Sequence, residues 1–347
     1  MRLVGFNHDR EIAAPTGEAW RYTKLVLPAE IRPATAGPAG HSDLALSGNT
    51  FALTAPAGIQ RTEWRDAGGP YAHDEWAQLP LRENRLALRV QGDVHLSLDV
   101  SRQGDGATIG ALQFHLDPGA HLTLWQECHG GAEGITAVTL QFLLAEGSQL
   151  DHAFRTRDDG SLVLTTETTL AARARSNAVA HVRGKGKTRL QLGAILAGAD
   201  AEARLATLMQ LEGQAHGDLH CVFRHDSADT RAHQLAKNLL DGEAKAIFTG
   251  RVHIARHAQR VDARQMNRNL LLSKKAWAVG QPQLEIFADD VKCGHGSSTG
   301  QIGDNETFYL LSRGIPAAKA RALLTRAFVD EVFHEACPEL RRRLEVT

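Results

Sequence analysis

Leu112-Gln-Phe-His-Leu-Asp-Pro-Gly-Ala-His-Leu122 alternates apolar and polar residues, breaks at an Asp-Pro-Gly turn and then resumes. Alternation of period two marks a strand with one buried face, because successive side chains project to opposite sides. The same pattern runs through Leu86, Leu88 and Val90, through Val94, Leu96, Leu98 and Val100, and through Val138, Leu140, Phe142 and Leu144. Short glycine-bearing turns separate the runs at Gln91-Gly-Asp93, Asp117-Pro-Gly119, Glu146-Gly-Ser148 and Asp159-Gly160. The phrase Gly119-Ala-His-Leu122 returns as Gly147-Ser-Gln-Leu150, 28 positions on. Leu190/Leu192, Val252/Ile254 and Leu284/Ile286 carry the pattern further, with almost no helical-period window between them. Stacked β coils would let each coil cover its neighbour and would place similar turn residues at successive corners. Periodicity alone leaves a β-solenoid, a sandwich and a pair of β domains open.

Composition narrows the function. The chain has 347 residues, long enough for one large elongated domain or for two. A formal net charge of −1 gives no general attraction to nucleic acid or an anionic membrane, and the basic run Lys185, Lys187, Arg189 is short and interrupted. The first residues hold no signal-peptide core, and no stretch of about 18 apolar residues is present. A soluble cytoplasmic protein is therefore expected. There is no G-x-S-x-G elbow and no phosphate loop, and Asp158/Asp159 and Asp289/Asp290 are adjacent pairs that point to opposite faces of a strand. A carbohydrate-active β-helix enzyme would need catalytic residues laddered over successive coils, and no repeated acidic ladder occurs. The four cysteines lie at 128, 221, 293 and 337 without a C-x-x-C pair, which fits neither a disulfide framework nor a four-thiolate site. The 17 histidines are dispersed and read mostly as surface or turn residues.

Two regions break the strand pattern. Residues 1–75, with Glu18-Ala-Trp-Arg-Tyr-Thr23 and the Pro/Ala/Gly-rich stretch from Pro28 to Gly40, read as a partly irregular N-terminal region ahead of a β core over 76–303. Residues 304–347 read as a helical region. Asp304 to Ser312 suits one helix, and Ile315-Pro316 opens another in which Leu323, Leu324, Ala327, Phe328 and Val332 recur at three- and four-residue spacing. That apolar stripe can pack on the β body or receive another subunit. Arg341 to Arg343 reads as a solvated helix face.

Pro282-Gln-Leu-Glu-Ile-Phe-Ala-Asp-Asp-Val-Lys-Cys-Gly-His-Gly296 sets a thiol and an imidazole at i and i+2, Cys293 and His295. On an extended segment these project to one side, within reach of one soft metal ion. The alternative is a small buried Cys293 and a hydrogen-bonded turn histidine, since two ligands do not complete a metal site.

This motif does not stand alone. Phe248-Thr-Gly-Arg-Val252, Ala263-Arg-Gln-Met-Asn-Arg-Asn-Leu-Leu-Leu-Ser273, Pro282–Gly296 and Phe308-Tyr-Leu-Leu-Ser-Arg-Gly-Ile315 resemble, in that order, the C-terminal core of the SufB/SufD family, scaffold proteins of SUF iron–sulfur cluster assembly. His225, Lys237-Asn-Leu-Leu240 and the early Glu18–Thr23 phrase are similar to it as well. The dense similarity covers about residues 225 to 333. Length, the Trp-Arg-Tyr-Thr phrase and the few cysteines are more similar to SufD than to SufB members, and the N-terminal extension is shorter than in typical SufD chains. The resemblance implies a right-handed parallel β-helix with a C-terminal helical region. It implies pairing with a SufB-like subunit at the end of the β-helix, and docking of a SufC-like ABC ATPase on the helices around Tyr309, Arg313, Gly314, Leu324 and Phe328. His295 matches the family's cluster-site histidine, with Cys293 beside it, so no permanently bound cofactor is expected, only transient iron or a nascent iron–sulfur cluster shared with SufB. A homodimeric metal-binding scaffold acting without SufB is the alternative within the family. Asn267 and Asn269 read as β-helix corner residues, and Asp289/Asp290 as fixing the last turn.

Overall fold

The alternating runs assemble into two nine-stranded sheets, and consecutive strands alternate between them from Arg85–Val90 to Val291–Gly300. Each strand pairs in parallel with the strand two places on, as Ile135–Leu144 does with Ser161–Leu170. Parallel pairing of this kind removes the sandwich and two-domain readings and makes the chain a β-solenoid of about eight coils. The computed structural model describes residues 58–345 except 67, 73, 84 and 103–105, with the backbone of short strands at Arg2–Leu3, Arg10–Glu11, Glu30–Ile31 and Thr50–Thr54. Glu18–Thr23 and, apart from Glu30–Ile31, the Pro28–Gly40 stretch lie outside the described residues. No helix among the described residues is long and apolar enough to cross a membrane.

Inside the coils, like stacks on like. Leu116, Leu144, Leu170 and Leu196 stand in register on one another, all buried. The rings of Phe114 and Phe142 stack with centroids 5.3 Å apart. Each buried leucine contributes about 1.5–3 kcal/mol. Coil spacing stretches from 26 residues, between Gln141 and Glu167, to 32, between Glu243 and Lys275. Several polar residues in the same ladder take their partners from the neighbouring coil. Asn238 donates to Asn269 over 2.6 Å, and Asn269 donates to Thr299 over 2.9 Å. Asn267 and Asn269 are thus buried in mid-strand rather than at a corner, because one coil supplies the acceptors for the next. Asp290 does serve the last turn, where its carbonyl accepts from the Arg260 N–H at 2.6 Å. Arg102 and Asp158 form a fully buried ion pair at 2.6 Å, with Thr136 donating to the same carboxylate.

Corners repeat even where their residue type does not. The residue entering the second sheet has φ of 72° at Gly92 and Gly119, 67° at Gly147, 57° at Arg173, 58° at Asp200, 61° at Asp229 and 57° at Arg260. At Gly119, Gly147 and Arg173 its N–H reaches the carbonyl at the matching corner of the next coil, at 2.8–3.0 Å. Glycine is therefore preferred but not required.

Helix α1 (Glu75–Glu83) was not expected: nine residues with Pro80 inside carry too little period to read. Ala77 and Leu79 are buried where α1 crosses the outer face of the first sheet, and the Thr139 hydroxyl donates to the Ala77 carbonyl. Ahead of it, the Tyr71 hydroxyl points to the carbonyls of His220 and Leu192, at 2.7 and 3.1 Å.

Helices α2 (Asp304–Ser312), α3 (Ala317–Phe333) and α4 (Pro338–Glu345) follow the last coil. Val329, Val332, Phe333, Leu340 and Leu344 bury themselves against Trp125, Val179, Leu208 and Leu235 on the outer face of the second sheet. Arg343 is not simply solvated: its guanidinium lies 4.4 Å from the Trp125 ring centroid and donates to Ser97. Arg341 donates to the His334 carbonyl at the end of α3.

Several histidines are buried rather than superficial, because outward positions of the middle coils are covered by α1 and α3 and inward ones by the next coil. Burial depresses the pKa of His152, His181 and His220 to about 3 and of His225 to about 4. An unfolded histidine titrates near 6.5, so the unfolded chain binds these protons and the folded chain does not. Stability is full above about pH 6.5 and falls as pH drops toward 4, by about 1.4 kcal/mol per pH unit per histidine. Calorimetry between about pH 7 and 5 should show a falling melting temperature, with a shallower slope in His152→Gln; a flat profile would contradict this assignment. At Gly147 an added Cβ meets nothing within 4 Å, so Gly147→Ala is strained only through φ and should cost about 1 kcal/mol in urea unfolding, with Gly147→Asn costing less.

Candidate functional site

At its first coils each sheet ends in an antiparallel cap: Thr50–Thr54 pairs with Asp93–Ser101, and Ile59–Thr62 with Arg85–Val90. At the other end, Trp277–Ile286 and Val291–Gly300 have no further neighbour among the described strands. Unpaired backbone and uncovered apolar side chains meet there. Ile286 stands on Ile254 yet is 39% exposed because no coil covers it among the described residues; Phe287 is exposed beside it, and Trp277 at the opposite end of the same strand. An uncapped edge of this kind is a template for another chain.

Cys293 and His295 lie on this edge strand, in register with Ala263 and Gln265 one coil below. Both of those partners are buried inside the coil, so the pair projects toward the open mouth of the solenoid rather than its side. Cys293 is half-buried against the core, and burial pushes its thiol above the ordinary thiol range. His295 is exposed. Gly250 comes so close to Gln265 across the coil that a Cβ would strike its amide, and the corresponding pair in the last coil is Pro282 and His295. A groove beside the strand is rimmed by His233, Arg264, Lys292 and Glu335. The edge thus presents a thiol and an imidazole, a soft and an intermediate ligand, with their open side facing whatever covers the end.

Among the described residues, one group of three potential metal ligands is close-packed, and it lies far from this edge: Asp99, Glu127 and His129. Arg155 binds the Glu127 carboxylate and Arg343 lies near both acids, so the group is neutralised by arginines and anchors α4. No third ligand from this chain joins Cys293 and His295 in such a group among the described residues.

The residues expected to receive an ATPase divide. Tyr309 and Arg313 are exposed on α2, with the guanidinium 5.3 Å from the Tyr309 ring centroid. Gly314 has a φ of 80° and closes α2: its N–H meets Leu311 O at 2.9 Å and Ile315 N–H meets Leu310 O at 3.2 Å, the paired bonds of a Schellman motif. It sets the turn into α3. Leu324 is half-buried. Phe328 faces the solenoid, its ring centroid 4.1 Å from the Lys237 ammonium and its carbonyl accepting from that nitrogen at 2.8 Å. Lys237 also pairs with Glu331, which Arg268 meets from the next coil at 3.0 Å. Helix α2 buries no residue, leaving Phe308, Tyr309 and Leu311 exposed together with Leu323 of α3. Sequence reading placed Phe308 and Leu311 within the Phe308–Ile315 motif and Leu323 within the α3 stripe, but named none of the three among the docking residues. The signal was Phe308-Tyr-Leu-Leu311, four consecutive apolar residues that cannot share one helix face.

Comparison with known proteins follows this geometry. The family described as SUF system FeS cluster assembly, SufBD core domain, matches residues 100–328. The chain is 32% identical over 200 residues to an iron–sulfur cluster assembly SufBD family protein of Synechocystis, covering 57% of this chain and 44% of that one. It is 39% identical over 115 residues to the iron–sulfur cluster assembly protein SufD of Escherichia coli, covering 33% of this chain and 27% of that one. A SufBD family protein of Mycobacterium bovis is 27% identical over 352 residues, spanning 96% of this chain and 88% of that one. The match thus spans less than half the length of the first two relatives.

A half-buried thiol of raised pKa should react slowly. Iodoacetamide labelling read residue by residue by mass spectrometry should find Cys293 slower at pH 8 than a free thiol peptide, and buried Cys128 and Cys221 slower still. A Cys293 rate equal to the peptide's would contradict its packing.

Proposed function

Since the chain belongs to the SufBD family of SUF iron–sulfur cluster assembly proteins, we propose that it is a SufD-like cytoplasmic scaffold subunit with no chemistry of its own. In this reading a SufB-like subunit pairs with the open strands Trp277–Ile286 and Val291–Gly300. The observation that carries it is the asymmetry of the solenoid: one end is capped by its own antiparallel strands, and the end bearing Cys293 and His295 has no such cap among the described strands. Two ligands from one chain suit a shared and labile site, with the remaining ligands supplied across the interface. The iron and nascent cluster are cargo. Cys293 must lose its proton to bind iron, which its burial opposes, so His295 is the primary ligand and Cys293 its neighbour.

A SufC-like ATPase docks on the exposed apolar group of Phe308, Tyr309, Leu311 and Leu323, with Leu324 at its border and Arg313 beside it. Exposure of this much apolar side chain on a helix that buries nothing supports that assignment. Dimerisation of two ATPase subunits on ATP would load α2 and α3, and this chain passes the load to the edge.

Co-expression with SufB-like and SufC-like partners tests both contacts. Phe308→Asp with Leu323→Asp should release the ATPase subunit and leave the SufB-like subunit bound; retention of the ATPase would overturn the docking site. Anaerobic cluster formation on the intact complex should fall by about tenfold or more in His295→Ala, as loss of a ligand demands. Unchanged yield would remove His295 from the site, and a lone homodimer that binds iron without a SufB-like partner would favour self-pairing of the same edge.

A further inference from the structure

Between α3 and the outer face of the second sheet runs a groove of about 480 Å³ that the assembly reading leaves unused. It exists because α3 turns small side chains, Ala318 and Ala322, toward the sheet at this level, so the helix cannot fill the space above the strands. The floor is His181. Its side chain is 1% exposed and set edge-on to the Phe333 ring, with centroids 5.1 Å apart. Gln210 stands beside it, yet neither ring nitrogen makes a hydrogen bond of good geometry. A buried polar ring left without a partner costs about 1–3 kcal/mol, so its place at the floor of a cavity calls for an occupant.

The walls specify its charge. Arg183, which stands in register with Gln210 on the adjacent strand, forms no ion pair among the described residues. Arg321 uses one arm to donate to the Leu272 carbonyl at 2.8 Å and keeps its other donors free of an ion pair among the described residues. Arg326 is tied to Asp330 at 2.6 Å. Thr325 adds a hydroxyl, and no carboxylate is among the described residues that line the groove. The result is an open-sided set of N–H and O–H donors under a positive potential, with guanidinium forks suited to a tetrahedral or planar oxyanion.

We propose that this groove binds the phosphate group of a small molecule, held by Arg183 and Arg321 with an N–H of neutral His181 beneath it and the rest of the molecule lying over Leu239 and the two alanines. The cavity exceeds a single phosphate, which is why an ester rather than the free ion is the fitting ligand. Arg183 and His181 sit two residues apart on one rigid strand, so the anchor is preformed.

Titration of the full-length chain alone, without other assembly subunits, tests this independently of the scaffold reading. Inorganic phosphate and glycerol phosphate are added at constant ionic strength, and the melting temperature and the ¹⁵N resonances of the His181 ring are followed. A saturable upward shift in melting temperature with a matching movement of the His181 resonances is expected, tighter for the ester, and weakened about tenfold or more in Arg183→Gln and Arg321→Gln. Both variants are first melted in phosphate-free buffer, and the His181 resonances report occupancy whether or not stability has changed. A non-saturating response equal to that of sodium chloride, or one unaltered in both variants, overturns the site. An equal response to acetate overturns the phosphate assignment.

Discussion

Parallel pairing of each strand with the strand two places on is the constraint from which the rest of the molecule follows. A coil of two strands cannot bury its inward side chains alone, so each relies on the next one to repeat its register. That is why Leu116, Leu144, Leu170 and Leu196 stack as a column, and why Phe114 meets Phe142 ring to ring. It also explains how polar residues survive inside: Gln234 accepts from Gln265 and Asn238 donates to Asn269 because the partner stands one coil away at a fixed height. Sequence spacing can drift between coils, since the extra residues are absorbed at the turns.

The constraint has a consequence at the ends. The first coils are closed by strands that run antiparallel, which breaks the repeat and removes the pairing edge. The last coil lacks such a closure among the described residues, and helices α3 and α4 fold back along the side of the second sheet. Ile286, Cys293 and His295 are therefore inward positions with no strand above them among the described residues. Their exposure is a property of the termination, not of the residues themselves.

This termination also divides what was legible in the sequence from what was not. Period two and the glycine corners at 119 and 147 were readable and admitted a solenoid beside a sandwich or two β domains; the family resemblance of the motifs from Phe248 to Ile315 implied the β-helix. Later corners were hidden because Arg173, Asp200, Asp229 and Arg260 hold the same left-handed backbone without glycine. Helix α1 was hidden by its length and its proline. Buried histidines looked superficial because cover comes from α1, α3 and the next coil, all remote in sequence. For the candidate site, the i and i+2 spacing of Cys293 and His295 correctly put both on one face. That this face is the uncovered mouth of the solenoid depends on where pairing stops, which local sequence does not encode. Phe328 belongs to the apolar stripe of α3, and its contact with Lys237, a charged residue 91 positions upstream that holds it against the sheet, could not be read from local sequence.

Lys237 also shows how the two ends of this region communicate. A lysine with a 1% exposed side chain needs partners to remain charged, and burial lowers its pKa despite the Glu331 carboxylate beside it. Glu331 does not serve Lys237 alone. It also takes Arg268, one coil higher, so a single side chain of α3 clamps the strands Arg231–Leu240 and Val261–Leu271. Arg268 stands in register with Ser298 on the edge strand that carries Cys293 and His295. A displacement of α3 cannot leave Glu331 behind without uncovering a buried lysine, and it cannot carry Glu331 along without loading the strand next to the open edge. Three side chains thus tie α3, which contributes Leu323 to the exposed apolar group, to the strand Val261–Leu271, and that strand pairs along its length with the one bearing the thiol and imidazole.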